Sequence, residues 1–187
     1  MSASTDDSDS EKIELLVKQL GDVNSRIQER ATDTLANYES SLVLPRVTSL
    51  LSDKDANKRR NAARILSTIG NAKSVEPLIN ALSDKNPEVR YWVAGALGML
   101  GDVAAIPKLS VLARSDTSKR VKEMAKKAIE DIKKAQSSEK LKRQIEDKQF
   151  QQKAEEIMER IKSMRARNRN DKPHKKGARK TRKIPRS

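Results

Sequence analysis

Apolar positions recur along this chain with a period of 31 residues. Ile13, Leu44, Val75 and Ile106 form one column, and Leu16, Val47, Leu78 and Leu109 form the next. Leu20, Leu51, Leu82 and Ala113 make a third. Further on come Ala31, Ala62, Val93 and Met124, then Leu35, Leu66, Leu97 and Ala128. Within each copy the spacing is that of a helix face: Leu16 and Leu20 are four apart, as are Leu78 and Leu82. Breakers (GDVNS, SDKDAN, SDKNPE, RSDTS) split each copy in two. The pattern predicts helix pairs at 11–20/25–38, 42–51/57–69, 74–82/87–100 and 104–113/118–135. Pro45, Pro77 and Pro107 fall early in first helices, where the missing N–H has no intrahelical acceptor. Gly70 and Gly101 close second helices as left-handed caps.

One such pair cannot bury its apolar face alone. Stacked pairs share a continuous core in which each repeat touches its neighbours. The expected fold is therefore all-α, a right-handed α-solenoid of four helix pairs of about 31 residues each. Four segments follow: an acidic disordered N-terminus at 1–10, the solenoid at 11–135, a charged C-terminal helix at 136–168, and a disordered basic tail at 169–187.

The third copy, SVEPLINALSDKNPEVRYWVAGALGMLGD, resembles the short HEAT-like repeat of the phycobilisome-lyase type. The resemblance rests on Pro77, the turn at Leu82 and Asp84, Val89-Arg90, and Ala96-Leu97-Gly98 ending in Gly101. The second copy matches through Pro45, Leu51, Asp53, Arg59, Ala62-Ala63 and Gly70. The likeness covers roughly 11–135 and implies fold more than function. It also implies an inter-repeat ladder of turn Asp and following Arg, here Asp53, Asp84, Arg59 and Arg90. Gln28 and Val121 stand in the Arg column of the end copies, so the ladder is expected in the middle only.

Aromatics are 2% of the chain, so the core is expected to be aliphatic. There is no cysteine and one histidine, His174, outside the repeats. A transition-metal site would then be nearly all carboxylate, which suits those metals poorly. An iron hydroxylase built on a similar scaffold uses His-Glu pairs, which this chain lacks. Nucleophilic triads and phosphate-binding glycine loops are equally missing. The sequence is read as non-enzymatic, with no metal and no cofactor. No apolar run approaches the ~18 residues that span a bilayer, so a cytoplasmic chain is expected, or a nuclear one in a eukaryote.

The resemblance places second helices on the concave surface. One outward column there reads Glu29, Arg60, Tyr91 and Lys122; the next reads Asp33, Arg64, Gly95 and Lys126. Arg30, Asn61, Trp92 and Glu123 run beside them. Arg60, Arg64, Tyr91, Trp92, Lys122 and Lys126 are the expected partner-binding strip, cations with two aromatics between them. The alternative is a solvated face with Trp92 packed as core.

Net charge is +14, and most of it sits at the C-terminus. Phe150, Ala154, Ile157, Ile161 and Met164 follow a heptad-like stripe on the preceding helix, fit to cap the solenoid, dock on a partner or pair weakly. Residues 165–187 hold 11 bases against one acid. Arg165, Arg167, Arg169, Lys172, Lys175, Lys176, Arg179, Lys180, Arg182, Lys183 and Arg186 are the expected nucleic-acid contacts, RNA before DNA. The function expected is an adaptor, monomeric alone, that binds a protein or ribonucleoprotein and anchors it through the tail. The alternatives are a pure protein-interaction scaffold whose tail serves solubility or targeting, and a lyase-type maturation factor.

Overall fold

Each breaker in the sequence forms the same small turn. The Asp at its start accepts a hydrogen bond from the backbone N–H two residues on: Asp22 from Asn24, Asp53 from Asp55, Asp84 from Asn86, Asp116 from Ser118, each at 2.8 Å. In three of these turns that second residue is itself the N-cap of the next helix. Asn24 accepts from Arg26 N–H, Asp55 from Asn57, and Asn86 from Glu88. One short polar segment thus ends one helix and starts the next. At the far end Gly70 and Gly101 adopt φ of 68° and 73°, left-handed caps as expected.

In this computed structural model residues 4–170 are described, with side chains from 8 to 167. Eight helices follow in order: α1 (Ser4–Gln19), α2 (Ser25–Ala36), α3 (Ser40–Ser49), α4 (Ala56–Ile69), α5 (Val75–Ala81), α6 (Pro87–Leu100), α7 (Ile106–Ser115) and α8 (Lys119–Asn170). Short 3₁₀ turns flank α3, α5 and α7. The chain divides into two compact units, Met1–Glu139 and Lys140–Ser187.

The first unit is an α-solenoid. α1 packs on α2, α3 on α4 and α5 on α6, while the second helices stack on one another, α2 on α4 and α4 on α6. The predicted columns face inward: Leu20, Leu51 and Leu82 are buried, as are Ala31, Ala62 and Val93, and Leu35, Leu66, Leu97 and Ala128. The stacked helices come close because their facing residues are small. A Cβ on Gly98 would lie 2.9 Å from the Cα of Ala128, so only glycine fits between α6 and α8.

The ladder is present, and its geometry is bidentate. Arg59 donates to both carboxylate oxygens of Asp84 (2.6 and 2.9 Å) and to the carbonyls of Asp53 and Lys54 (2.8 and 3.0 Å). Arg90 repeats this with Asp116 (2.7 and 2.8 Å) and the carbonyls of Asp84 and Lys85. Asp53 enters the ladder only through its backbone carbonyl, which accepts from Arg59, while its carboxylate caps the turn and lies 3.9 Å from Lys58. The 31-residue register puts Ser115 in the Asp column, but α7 continues through Ser115 and Asp116 takes the role. In the first repeat Gln28 is buried in the Arg column and accepts from Arg60 and Asn61.

Three elements differ from the sequence expectation. α1 opens at Ser4, inside the stretch expected to be disordered. Asp9 pairs with Lys12 along this helix, and Ser10 and Glu14 both bind Arg46 of α3, which ties the segment down. Pro45 stands inside α3 rather than in its first turn. α8 is one helix from Lys119 to Asn170, with no break near 136 and with Arg165 and Arg167 on it. No Gly or Pro interrupts that stretch, so nothing stops the helix. Arg169 is helical in backbone; Lys172, Lys175, Lys176, Arg179, Lys180, Arg182, Lys183 and Arg186 lie outside the described residues.

Hydrogen bonds from Arg90 hold the Asp116 carboxyl below its ordinary pKa. At Asp84 burial pushes upward, but the bonds from Arg59 and the Asn86 N–H outweigh it and the net shift is down. The unfolded chain therefore binds these protons more readily than the folded one. The stability from both pairs is complete above the unfolded carboxylate pKa of about 3.9, and it is lost as pH falls through the lowered folded values. Arg59→Ala should cost about 3–5 kcal/mol, because it leaves a buried carboxylate unpaired. In urea titrations the gap between wild type and variant should be widest near pH 6 and narrow below about pH 4. A gap that stays constant down to pH 2 would refute the ladder's electrostatic role.

Candidate functional site

Outward positions of α4, α6 and the start of α8 frame a cleft of about 330 Å³ on the first unit. Helical spacing explains its lining. Arg64, Ser67 and Thr68 lie on one face of α4. Trp92, Gly95, Ala96 and Met99 share a face of α6, and Met124, Lys127, Ala128 and Asp131 share one of α8. Tyr91 sits at the edge. The floor is wide because Gly95 and Ala96 carry almost no side chain. A Cβ on Gly95 would meet only the Met124 sulfur, at 3.6 Å.

The aromatics are held open rather than packed away. Trp92 is 37% exposed and Met99 72% exposed, so neither is core. The Arg64 guanidinium lies over the Trp92 ring at 5.3 Å from its centroid. Tyr91 meets Trp92 edge-on, with centroids 5.7 Å apart and planes at 85°. Arg120 covers Tyr91 at 4.8 Å while also binding Glu88 at 2.7 Å. These contacts fix the rings in place and keep cations at the rim.

The structure brings Arg64, Tyr91 and Trp92 together, as the sequence columns expected. Arg60 is turned away and donates to Gln28 at 2.6 Å. Lys122 and Lys126 do not line the cleft, and Lys126 pairs with Glu123 at 3.0 Å. Asn61 is buried and binds the Leu20 carbonyl at 2.9 Å, closing the end of α1. Met99, Lys127, Asp131 and Arg120 lie outside the expected strip, as does Met124, which the 31-residue period puts in a core column. Their signal is the i, i+3, i+4, i+7 spacing from Trp92 and from Met124. Among the described residues, no three His, Cys, Asp or Glu side chains gather closely enough to hold a metal ion. No described helix is long and apolar enough to cross a membrane.

The HEAT-repeat family model matches residues 44–130 and 77–159, more than half of the sequence. The chain belongs to the HEAT-repeat family. A phycocyanobilin lyase subunit alpha from Picosynechococcus sp. is 44% identical to this HEAT protein over 64 residues. That match covers 34% of this chain and 24% of the relative. Human deoxyhypusine hydroxylase has a similar fold, with a TM-score of 0.57 at 22% identity, over 69% of this chain and 46% of the hydroxylase. A complex of CpcE and CpcF of phycocyanin lyase from Nostoc sp. PCC7120 gives a TM-score of 0.49 at 27% identity, over 64% and 53% of the two chains. The chain thus spans about a quarter to a half of these relatives.

These findings correct one expectation. The sequence was read as non-enzymatic because it lacks His and Cys constellations. A relative 44% identical over 64 residues is a lyase subunit, so the expectation that enzymatic function is absent does not stand. The absence of a familiar triad was a poor ground for excluding it.

The two glycines of α6 allow a paired check on the packing. Gly95→Ala should raise stability by about 0.5–1 kcal/mol, because the cleft floor has room and alanine favours the helix. Gly98→Ala should lower it by about 1–3 kcal/mol, because α8 backbone occupies the space. Thermal and urea unfolding of the two variants should move in opposite directions.

Proposed function

We propose that the Trp92 cleft binds a segment of a partner protein. One observation carries this reading: Trp92 and Met99 are both exposed along one face of α6, in a groove that Arg64 and Lys127 also line. Exposed Trp with adjacent Arg is the composition of interface anchors, since both bury large area at low entropic cost. Methionine adapts its shape to varied apolar partners. The rim cations favour a segment with acidic residues beside an apolar anchor, while Asp131 leaves room for one basic contact. The match to a protein named as a lyase subunit supports a role beside other chains of an enzyme assembly.

A second reading rests on charge. Residues 165–187 hold 11 bases and one acid, and we propose that they contact phosphate backbone, RNA in preference to DNA. Such contacts position a protein without reading sequence. The solenoid would then select the partner while the tail adds affinity.

Affinity capture with wild type, Trp92→Ala and Gly95→Leu, read by mass spectrometry, tests the cleft. Both variants should keep wild-type circular dichroism and lose the same subset of captured proteins. An unchanged protein set for both variants sinks the cleft reading. For the tail, RNA affinity should fall by roughly 10³–10⁵ between 50 and 200 mM salt if six to ten charges meet phosphates. A salt-insensitive complex, or one unaffected by deleting 165–187, would leave the pure scaffold in its place.

A further inference from the structure

The second unit carries a surface that the cleft does not use. Along α8, Phe150, Ile157, Met158, Ile161 and Met164 are all exposed, Phe150 by 76%. With Ala154 these residues, Met158 apart, keep the 4-3-4-3 spacing of a helix-pairing seam. We propose that this seam docks an amphipathic helix of a partner protein whose own seam is flanked by acidic side chains.

Charge selects that occupant. In heptad positions the stripe supplies a and d, so the flanks are fixed by the sequence. One flank holds Lys153, Arg160 and Arg167; the other holds Gln151, Met158 and Arg165. Neither flank of this stretch contains an acid. Glu155, Glu156 and Glu159 all fall on the opposite face, where Glu159 pairs with Lys162 at 3.5 Å. A second copy of the chain would set cation against cation in either orientation. Parallel pairing brings Arg160 to Arg165, and antiparallel pairing brings the Lys153 and Arg160 flank against itself. Like charges at those positions disfavour the pair. An anionic lipid surface fits less well. Residues 150–167 carry five bases and three acids, and all three acids lie on the face opposite the seam, whereas an interfacial helix concentrates Lys and Arg on that polar face. What remains is a helix that offers apolar knobs and carboxylates together. Charge then sets partner choice, and the apolar seam supplies most of the affinity.

The test uses the full chain and two synthetic helical peptides of about three heptads. Both have Leu and Ile in the seam; one has Glu at the flanking positions and the other Lys. By fluorescence anisotropy the Glu peptide should bind at least about tenfold more tightly than the Lys peptide. The charge reversal Lys153→Glu, Arg160→Glu, Arg165→Glu should invert that preference. Ile157→Ser with Ile161→Ser should abolish binding of both, while Trp92→Ala should leave it unchanged, which separates this surface from the cleft. Equal binding of the two peptides, no binding of either, or binding that survives the double serine variant would overturn the proposal. So would self-association through the stripe in sedimentation velocity, or loss of the inversion in the charge-reversed chain.

Discussion

The distance between neighbouring second helices governs the first unit. A helix pair of this size has one apolar stripe on each helix and too little depth to bury both. Burial is completed only when the next pair is laid against it. That requires small residues where second helices meet: Ala62, Ala63, Ala94, Ala96 and Ala128 are buried, and Gly98 meets Ala128 with no room for a methyl group. The close approach excludes water from the turns, which makes their polar groups expensive to leave unpaired. The Arg59–Asp84 and Arg90–Asp116 pairs answer that cost, each closing one repeat's turn onto the next. Because each guanidinium also satisfies two backbone carbonyls, hydrophobic replacement of the pair would strand those carbonyls. The ladder therefore fixes register as well as adding energy.

The same closeness shapes the outward face of the second helices. Large side chains cannot enter the narrow seam between second helices, so Trp92 is displaced to its edge. There it finds Arg64 on one side and Tyr91 on the other. A cleft forms where α6 gives up volume at Gly95 and Ala96 while its neighbours keep Met124 and Arg64. Small residues on α6 thus leave a hollow there, while the Trp, Met and basic side chains that line it are not demanded by stacking.

Much of this was legible because burial repeats with the sequence. The columns through Leu20, Ala31 and Leu35 follow from the 31-residue period, and every member of those columns from the first three repeats is buried. The arginine ladder was foreseen at Arg59, Arg90 and Asp84. Asp116 stands one residue past the 31-residue register because α7 continues through Ser115, and a fixed period cannot follow that shift. The cleft lining is set along each helix as well as across repeats. Columns 31 apart placed Lys122 and Lys126 beside Arg64, but the side chains facing Trp92 are those at Met124, Lys127 and Asp131, set by the 3.6-residue turn. Pro45 shows another limit. Proline in first helices suggested a first-turn position, yet α3 begins five residues earlier, at Ser40. The start of α1 depended on Arg46, 36 residues from Ser10, and no local pattern announces that contact.

Sequence likeness among solenoids of this kind has a physical origin that limits what it says about activity. Stacking demands the same small and aliphatic residues, the same turn Asp and the same left-handed glycine from any chain that adopts it. Two members can then agree over 64 residues because packing leaves each few alternatives. The residues that packing leaves free are the outward ones: Trp92, Met99 and Lys127 along the cleft, and the flanks of the Phe150–Met164 stripe. Nothing in the core requires a tryptophan at a seam edge, or bases without acids along both sides of an apolar row. Such features cost solubility and stability when nothing covers them. Their presence at positions free of structural demand is the strongest local argument that this chain meets its partners there. The surrounding columns, which any HEAT solenoid needs, hold those surfaces in place.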